Sequence, residues 1–405
     1  MPSKGWWVAG AAVAVAVLAV WLGPRAGGAA AVQAPGPAPA GAGPQFFGAT
    51  ESAGVALAPP ARAARLRELR EQFALVDHTY CSYAAGTRYP HSSRPLSENP
   101  DQVYPNAPVT ESNPMRTGDR NADTSVQIQT SQSRVYMASG ERVAFSLRAV
   151  DTKGEVLPLV VTRALAQGVT IAGARAAPQV ALIFADDGNG ADAQAGDGAF
   201  GGILAPAASG LASFNGTIRT KVDYTVGGKA GFVIFDVIYT PELPATWSGQ
   251  AREAVEDGSL VYYLKADVRV AGRYLVSGRV DDAAGKPFAL ATFNDVLPVG
   301  TSEIKLTVFG KLLRDAGPAQ PLTLRDVDGF LLKENVDPDR ALMPRLEGKV
   351  VTGKKHPPSS FSDAEWQSEE RTRHLDEFAK DIGLARKAIS QFDPSLPVQK
   401  SACLP

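Results

Sequence analysis

At 405 residues the chain is too long for one ordinary hydrophobic core, so we expect two or three folded units. Its 41 basic and 42 acidic residues are interspersed and leave a net charge of −1. This balance excludes the excess of positive charge that is typical of a nucleic-acid-binding protein. Plentiful glycine and proline, with short runs of β-branched and aromatic residues, are typical of a turn-rich β protein.

The first 31 residues predict export. Lys4 precedes an apolar run over residues 6–22, and small residues follow as far as Ala31. Residues 1–31 are therefore either a signal peptide or an N-terminal membrane anchor, and both interpretations stay open. In both cases the rest of the chain would be exported to the periplasm or the cell surface, with this segment as its membrane contact.

The next two segments carry no clear sandwich pattern. Residues 32–60 are dominated by Ala, Pro and Gly, which predicts a semi-extended linker. Residues 61–122 predict a short helix, with Leu66, Leu69 and Phe73 on one face, followed by an irregular segment rich in aromatic residues and proline.

Cys81 and Cys403 are the only cysteines. In an oxidising compartment a bond between them would tie the N-terminal region to the C-terminal tail. The sequence alone does not show that the two residues meet.

From residue 123 the pattern changes to short alternating strands separated by turns with glycine, aspartate or proline. About seven such strands over residues 123–241 predict a β-sandwich of immunoglobulin-like type. A second series over residues 242–354 predicts another, with Pro-rich junctions at both of its borders.

Residues 355–405 predict a C-terminal helical tail. Residues 362–365 have the form of a capping box. One helix face would hold the apolar side chains of Leu375, Phe378, Ile382, Ala385, Ile389 and Phe392. The predicted fold is thus mainly β, with two tandem immunoglobulin-like β-sandwiches, an N-terminal membrane or signal helix, and a C-terminal amphipathic helix that packs on a sandwich or a partner chain.

An acidic, glycine-rich stretch over residues 186–200 is the strongest functional feature. It lies between two apolar runs, which predicts a loop between two strands. Glycines permit the tight turns that bring acids together. Hard oxygen ligands without His or Cys favour Ca²⁺ over a transition metal. The predicted calcium ligands are Asp186, Asp187, Asn189, Asp192 and Asp197.

Two known calcium-binding motifs do not match this loop. An EF-hand does not fit, because counting from Asp187 puts Gly198 at position twelve, where that motif needs Glu. A calcium-binding nonapeptide β-helix needs stacked repeats, and one copy is present. The interpretation that stays open beside calcium is an Asp/Gly turn held by side-chain-to-backbone hydrogen bonds without an ion.

Two motifs in order resemble a family of bacterial exported proteins. Residues 184–188 (Phe-Ala-Asp-Asp-Gly) and 195–200 (Ala-Gly-Asp-Gly-Ala-Phe) are similar to the acidic loop of choice-of-anchor X domain-containing proteins. Residues 272–311 are similar to the second sandwich module of that group. The resemblance implies export and tandem sandwich modules, and it implies no catalytic residues. The short polar tail over residues 391–405 holds no recognisable sorting helix, so anchorage is expected from the N-terminal segment.

The sequence predicts a non-catalytic protein. It has no Gly-x-Ser-x-Gly, His-Glu-x-x-His or phosphate-binding Gly-Lys motif, and four histidines leave little general-base capacity. We expect an envelope protein that binds an unknown protein or glycan and is stiffened by Ca²⁺. The alternatives are a carbohydrate-binding module, in which Trp247, Tyr262, Tyr263 and Tyr274 stack on sugar, and an envelope hydrolase that uses paired carboxylates.

Overall fold

The structure is a computed structural model, and it describes residues 58–118, 121–170, 178–249 and 251–404. The predicted signal or anchor segment and the linker as far as residue 57 lie outside these ranges. Both sandwiches belong to one compact unit, Ala63–Pro405. Within the described ranges, no helix has the length and apolarity needed to cross a membrane.

The helices and strands are bounded as follows. The α-helices of the described residues are α1 (Pro59–Gly86), α2 (Gly310–Ala316) and α3 (Glu369–Phe392). The strands up to residue 240 are β1 (Ser93–Pro95), β2 (Val109–Arg116), β3 (Ala122–Gln132), β4 (Tyr136–Ala138), β5 (Val143–Asp151), β6 (Val156–Leu157), β7 (Leu159–Gly168), β8 (Gln179–Ala181), β9 (Phe184–Ala185), β10 (Phe200–Leu204), β11 (Gly216–Val226) and β12 (Lys229–Thr240). The later strands are β13 (Ala245–Trp247), β14 (Arg252–Glu256), β15 (Ser259–Val268), β16 (Gly272–Asp281), β17 (Pro287–Leu297), β18 (Gly300–Val308), β19 (Thr323–Leu332), β20 (Arg340–Leu342) and β21 (Leu346–Thr352).

The first sandwich contains β2 to β12. One sheet has the order β2-β3-β5-β10-β9, with β6 beside β5, and the other has the order β4-β12-β11-β7-β8. Alternate residues of β5 face inward, because a strand turns successive side chains to opposite faces. The rings of Phe145 and Phe235 meet across the sandwich with centroids 4.6 Å apart, so the two sheets share one core.

The second sandwich contains β1 and β13 to β21. One sheet has the order β1-β17-β16-β19-β20, with β21 beside β19, and the other has β13-β15-β14, with β18 beside β15. Tyr262 and Tyr274 come from opposite sheets, and both are fully buried in the shared core. The predicted mainly β fold with two sandwiches is confirmed.

The region predicted as a short helix plus an irregular segment (residues 61–122) has a different structure. Helix α1 spans 28 residues and ends at Gly86, so it includes the first part of the aromatic stretch that the sequence predicts to be irregular. Apart from β1 and two 3-10 turns, residues 87–108 are irregular, as predicted. Strand β1 then joins the edge of β17, so the second sandwich is assembled from two separate parts of the chain. Strand β2 belongs to the first sandwich, which therefore begins at Val109 and not at residue 123. Only Met115 of β2 is buried, so the strand has no alternating apolar pattern by which to recognise it.

The C-terminal helix α3 packs against α1, and the two helices run antiparallel. Arg371 donates a hydrogen bond from Nε to Oγ1 of Thr87 (3.1 Å), and Tyr83 lies edge-on to Phe378 with ring centroids 5.4 Å apart. A disulfide joins Cys81 to Cys403, which shows that the two cysteines do pair. The chain segments before and after the sandwiches are thus fixed to each other.

The predicted apolar face of α3 is confirmed, because its six side chains are buried or half-buried. The predicted capping box at residues 362–365 was wrong as a helix start. The helix begins at Glu369, and its N-cap is Ser368, whose hydroxyl accepts a hydrogen bond from the N–H of Arg371 (3.0 Å). Ser362 instead bonds through its backbone to Gly258 of the second sandwich (2.9 Å).

The two sandwiches meet through charged side chains. Arg134 of the first sandwich pairs with Glu141 (3.0 Å) and with Glu347 of the second (2.8 Å). Arg345 of the second donates from Nη2 to the carbonyl of Tyr136 in the first (3.2 Å). Both arginines are mostly buried, so these bonds hold the two sandwiches in a defined arrangement.

Candidate functional site

The acidic stretch forms the connection between β9 and β10, as predicted. These strands pair antiparallel, with Gly201 opposite Ala185. The apolar run before the loop is divided between the two sheets, since β8 pairs with β7 and β9 with β10. The chain therefore crosses from one sheet of the first sandwich to the other immediately before the loop, which begins at Asp186.

Asp186 organises the end of the loop. Its Oδ1 accepts hydrogen bonds from the backbone N–H of Gly196 (2.6 Å) and Asp197 (3.2 Å), and its Oδ2 accepts one from Gly198 (2.9 Å). Gly196 and Gly198 have φ of +74° and +80°, a backbone region that glycine adopts without strain. The two glycines thus direct three N–H donors at one carboxylate.

Asp192 organises the start of the loop and is buried, with 6% of its surface exposed. Its Oδ2 accepts from the N–H of Gly188 (2.5 Å) and its Oδ1 from that of Gln194 (3.3 Å). Strand β10 passes directly against this residue. A Cβ on Gly201 would lie 2.4 Å from the backbone nitrogen of Asp192, so only glycine fits there.

Three of the five predicted ligands come together. Asp186, Asp192 and Asp197 each offer a carboxylate oxygen, and these oxygens lie within 4.8 Å of one another. Calcium binds oxygen at 2.3–2.6 Å, so two ligands of one ion can be up to about 5 Å apart. The spacing therefore fits a single Ca²⁺ bound by three carboxylates, with the remaining positions left to carbonyl oxygens or water.

The other two predicted ligands lie outside this group of three. Asp187 and Asn189 are exposed and bond to each other: the N–H of Asn189 donates to Oδ1 of Asp187 (3.0 Å), and its side-chain amide donates to the Asp187 carbonyl (3.1 Å). This arrangement is a local Asx turn. It stabilises the turn whether or not an ion is bound.

Asp197 distinguishes the two interpretations of the loop. Its Oδ1 accepts from the N–H of Ala199 (2.9 Å), and no hydrogen bond from the described residues reaches its Oδ2. The backbone bonds satisfy Asp186 and Asp192 in both interpretations. A bound cation would in addition use the free oxygen of Asp197 and offset the repulsion among three adjacent carboxylates.

The aromatic residues predicted to stack on sugar are structural. Tyr262 and Tyr274 are fully buried, and Tyr263 is 3% exposed. Trp247 donates its indole N–H to the carbonyl of Pro344 (2.7 Å). Tyr262 and Tyr274 belong to the core of the second sandwich and Trp247 packs against it, whereas Tyr263 lies outside this core beneath the guanidinium of Arg252, 3.6 Å from its ring centroid. These four residues therefore form no exposed row of rings.

A carboxylate–imidazole pair lies in the second sandwich. Oε1 of Glu253 is 2.8 Å from Nε2 of His356, and it accepts a hydrogen bond from the N–H of Lys354 (2.9 Å). Phe361 lies edge-on to the imidazole with ring centroids 6.1 Å apart. Among the described residues, no hydroxyl or thiol bonds to this pair. It ties the C-terminal segment to β14 and lacks the nucleophile that a catalytic pair of this kind would activate.

Comparison with known proteins gives fold similarities only. No protein-family model matches the chain, and no curated protein matches it. A DUF4785 family protein from Legionella pneumophila is similar, with 12% identity and a TM-score of 0.38 over 56% of this chain and 57% of that one. The fibronectin(III)-like modules of Clostridium thermocellum CbhA match 59% of this chain over their full length, with 12% identity and a TM-score of 0.21. None of these similarities assigns a function to this chain.

Proposed function

We propose that this chain is a non-catalytic, exported cell-envelope protein whose immunoglobulin-like sandwiches serve as binding and structural modules. Its partner would be a protein or glycan of the envelope. Export is proposed from the apolar run near the N-terminus, and the envelope from the resemblance to choice-of-anchor X proteins. A mature N-terminus at Val32 would support a cleaved signal, whereas an intact Met1 in the membrane fraction would support a retained anchor.

The proposal includes a calcium site in the first sandwich, with Asp186, Asp192 and Asp197 as carboxylate ligands. The observation that carries it is the convergence of these three carboxylates to within 4.8 Å on a loop already ordered by backbone N–H groups. Such a loop loses little conformational entropy when an ion binds, because its backbone is fixed beforehand. Bound calcium would stiffen the link between β9 and β10.

Thermal unfolding of the full chain in EDTA and then in millimolar Ca²⁺ tests the site. A ligand that binds only the folded state stabilises it by about 2.7 kcal/mol at a hundredfold excess over its dissociation constant. We expect the melting temperature of the first sandwich to rise by several degrees. Asp197→Asn should remove this rise, because the amide keeps an acceptor for Ala199 and removes the charge from the cluster.

Asp187→Asn is the matched control. It removes a charge from the same loop at a residue outside the three-carboxylate group, so the calcium-dependent rise should persist. If calcium did not raise the melting temperature of the unsubstituted chain, or raised that of Asp197→Asn equally, the loop would be an Asp/Gly turn without an ion.

A further inference from the structure

A cleft of about 600 Å³ opens on another side of the first sandwich, between strands β2 and β12. Within the part of the chain that the structure describes, strand β2 pairs with β3 alone. Strand β12 pairs with β11 along its length, but with β4 only from Ile238 to Thr240. Among the described residues, the rest of this β12 edge has no neighbouring strand. An uncovered strand edge presents N–H and C=O groups that another extended segment can pair with.

Two existing bonds show which residues of β12 direct their backbone toward this edge. The side-chain amide of Gln132 donates to the carbonyl of Asp236 (2.8 Å), and the N–H of Ile238 donates to the carbonyl of Val135 (2.8 Å). Backbone groups of alternate residues face the same side of a strand in an antiparallel pair. Ile234 and Phe232, which line the cleft, therefore offer their N–H and C=O groups to it.

The cleft is closed at its Phe232 end. A Cβ on Gly231 would lie 2.8 Å from Cε of Met115, 2.8 Å from the Tyr224 ring and 3.0 Å from the carbonyl oxygen of Arg116. The two sheets therefore converge at Gly231 with no room for another chain between them. A segment that occupies the cleft has to end or turn away at this point.

The closed end carries two hydrogen-bond donors without an acceptor. The guanidinium of Arg116 lies 4.7 Å from the Phe232 ring centroid and forms no ion pair with a described residue. Tyr224 is 1% exposed and lines the cleft, and its hydroxyl has no hydrogen-bond partner among the described residues. Burial raises the pKa of Tyr224 to about 12, with the Arg116 charge acting in the opposite direction, so the hydroxyl stays a donor at neutral pH and lies near the guanidinium.

We propose that this cleft binds the free carboxyl-terminal end of an extended peptide. The peptide backbone pairs with Ile234 and Phe232 of β12, and its terminal carboxylate accepts hydrogen bonds from the Arg116 guanidinium. It accepts one from the Tyr224 hydroxyl as well once the side chains at the closed end move aside, because this hydroxyl has almost no accessible surface in the present structure. Strand addition to an uncovered edge and capture of a terminal carboxylate are both established modes of peptide recognition. The inference gives the first sandwich a partner class and depends on neither calcium nor export.

Fluorescence polarisation with a labelled pentapeptide, Thr-Val-Thr-Val-Val, tests the inference on the full chain in EDTA. We expect the peptide with a free carboxylate to bind about tenfold more tightly than the same peptide with a C-terminal amide, because hydrogen bonds to a charged group are the stronger ones. Equal affinity of the two forms, or no binding of the free acid at millimolar concentration, would overturn it. Octanoate has a carboxylate but no peptide groups. If it displaced the labelled peptide as well as the unlabelled peptide does, the proposed strand pairing would be overturned.

Three variants locate the site. Arg116→Gln should weaken binding of the free acid about tenfold and leave the amide unchanged. Tyr224→Phe should weaken it less, and it should not reduce stability because the hydroxyl it removes is unpaired. Arg142→Gln is the control, since Arg142 is exposed in the same sandwich and does not line the cleft. An equal loss in Arg142→Gln and Arg116→Gln would show non-specific attraction and contradict the assignment.

Discussion

The two sandwiches have similar sheets, but their edges are covered differently. In the second sandwich, β1 covers the edge of β17, Phe361 from the C-terminal segment joins the core, and α2 contributes Leu312 and Leu313. In the first sandwich the edge of β12 is uncovered over most of its length, and a long loop joins β9 to β10. The second sandwich thus uses other parts of the chain to cover β17 and to complete its core, although its β18 pairs with β15 alone among the described residues. In the first sandwich no such segment covers β12 or the acidic loop.

The hydrogen bonds of a buried arginine give a second example of how other parts of the chain support the second sandwich. Arg279 is 1% exposed and donates to Asp328 (2.7 Å), to the carbonyl of Asp326 (2.9 Å) and to the side chain of Gln102 (2.5 Å). Gln102 lies in the segment between β1 and β2. The arginine therefore fixes the chain that leads from the second sandwich into the first.

The largest effect is expected from Arg279→Met. Removal of this arginine leaves the carbonyl of Asp326 and the side chain of Gln102 without their donor, and each buried polar group left unpaired typically costs about 1–3 kcal/mol, whereas the Asp328 side chain is 40% exposed and can be hydrated. Denaturant unfolding should show this loss in the second sandwich. Arg273→Met is the control on the same strand, because Arg273 is exposed and its side chain bonds to Asn294 alone among the described residues. It should change stability by less than about 0.5 kcal/mol. Equal losses of stability in the two variants would show that the burial of Arg279 does not explain the effect of its substitution.

The next effect concerns the disulfide between α1 and the C-terminal tail. Replacing Cys81 and Cys403 together with Ser should lower stability by about 2–4 kcal/mol, because the link constrains the unfolded chain over 322 residues. Differential scanning calorimetry should show the change as a lower unfolding temperature of the chain, because the loop closed by the disulfide encloses both sandwiches. A reductant added to the unsubstituted protein should reproduce it. An unchanged unfolding temperature of the double variant would contradict the prediction.

Alkaline pH should weaken the second sandwich more than the first. Burial raises the pKa of Tyr274 to about 12 and, aided by the charge of Glu253, raises the pKa of Tyr262 further; Tyr224 is the corresponding residue of the first sandwich. Above pH 10 the unfolded chain releases these protons while the folded chain keeps them. Folding stability is therefore full below about pH 10 and falls as the pH rises toward 12. Unfolding midpoints measured from pH 8 to pH 11.5 show which sandwich loses stability faster. Equal slopes of midpoint against pH for the two sandwiches would contradict the prediction.

The smallest effect is a gain. The hydroxyl of Tyr262 is buried and has no partner in the described part of the chain, so Tyr262→Phe should raise stability by about 1 kcal/mol and reduce the alkaline loss. Tyr274→Phe is the matched comparison, because the Tyr274 hydroxyl donates to the carbonyl of Val270 (2.7 Å) and its removal should lower stability by about 1 kcal/mol. Unfolding in urea distinguishes the two, and a loss for both would show that the Tyr262 hydroxyl has a partner after all.

Strands with an alternating or continuous apolar pattern could be predicted from the sequence. Strands β5, β12 and β15 are of this kind, and so is the face of α3 that holds Ile382, Ala385 and Ile389. Strands β1 and β2 could not be predicted from the sequence, because they are defined by their pairing with other strands and not by an apolar pattern. Strand β1 has three residues, and β2 buries only Met115. The second half of α1 was missed since it has no apolar stripe, and its position depends on Tyr83 and Cys81 contacts with the C-terminus.

The candidate site could also be predicted from the sequence only in part. Spacing and composition indicated an acidic loop between two strands, but not which of five polar residues converge. Asp192 turns inward because β10 carries glycine at position 201, and Asp187 turns outward to bond with Asn189. The cleft had no sequence signal, since it arises where β12 extends beyond β4 and where β2 crosses at Gly231.

Direct calcium binding is the measurement that tests the central claim, that the first sandwich holds a ligand site built from its acidic loop. Isothermal titration of the calcium-free full chain with Ca²⁺ should give one binding event. Asp197→Asn should abolish it and Asp187→Asn should retain it. Absence of binding heat at several temperatures, or unchanged binding by Asp197→Asn, would contradict the claim.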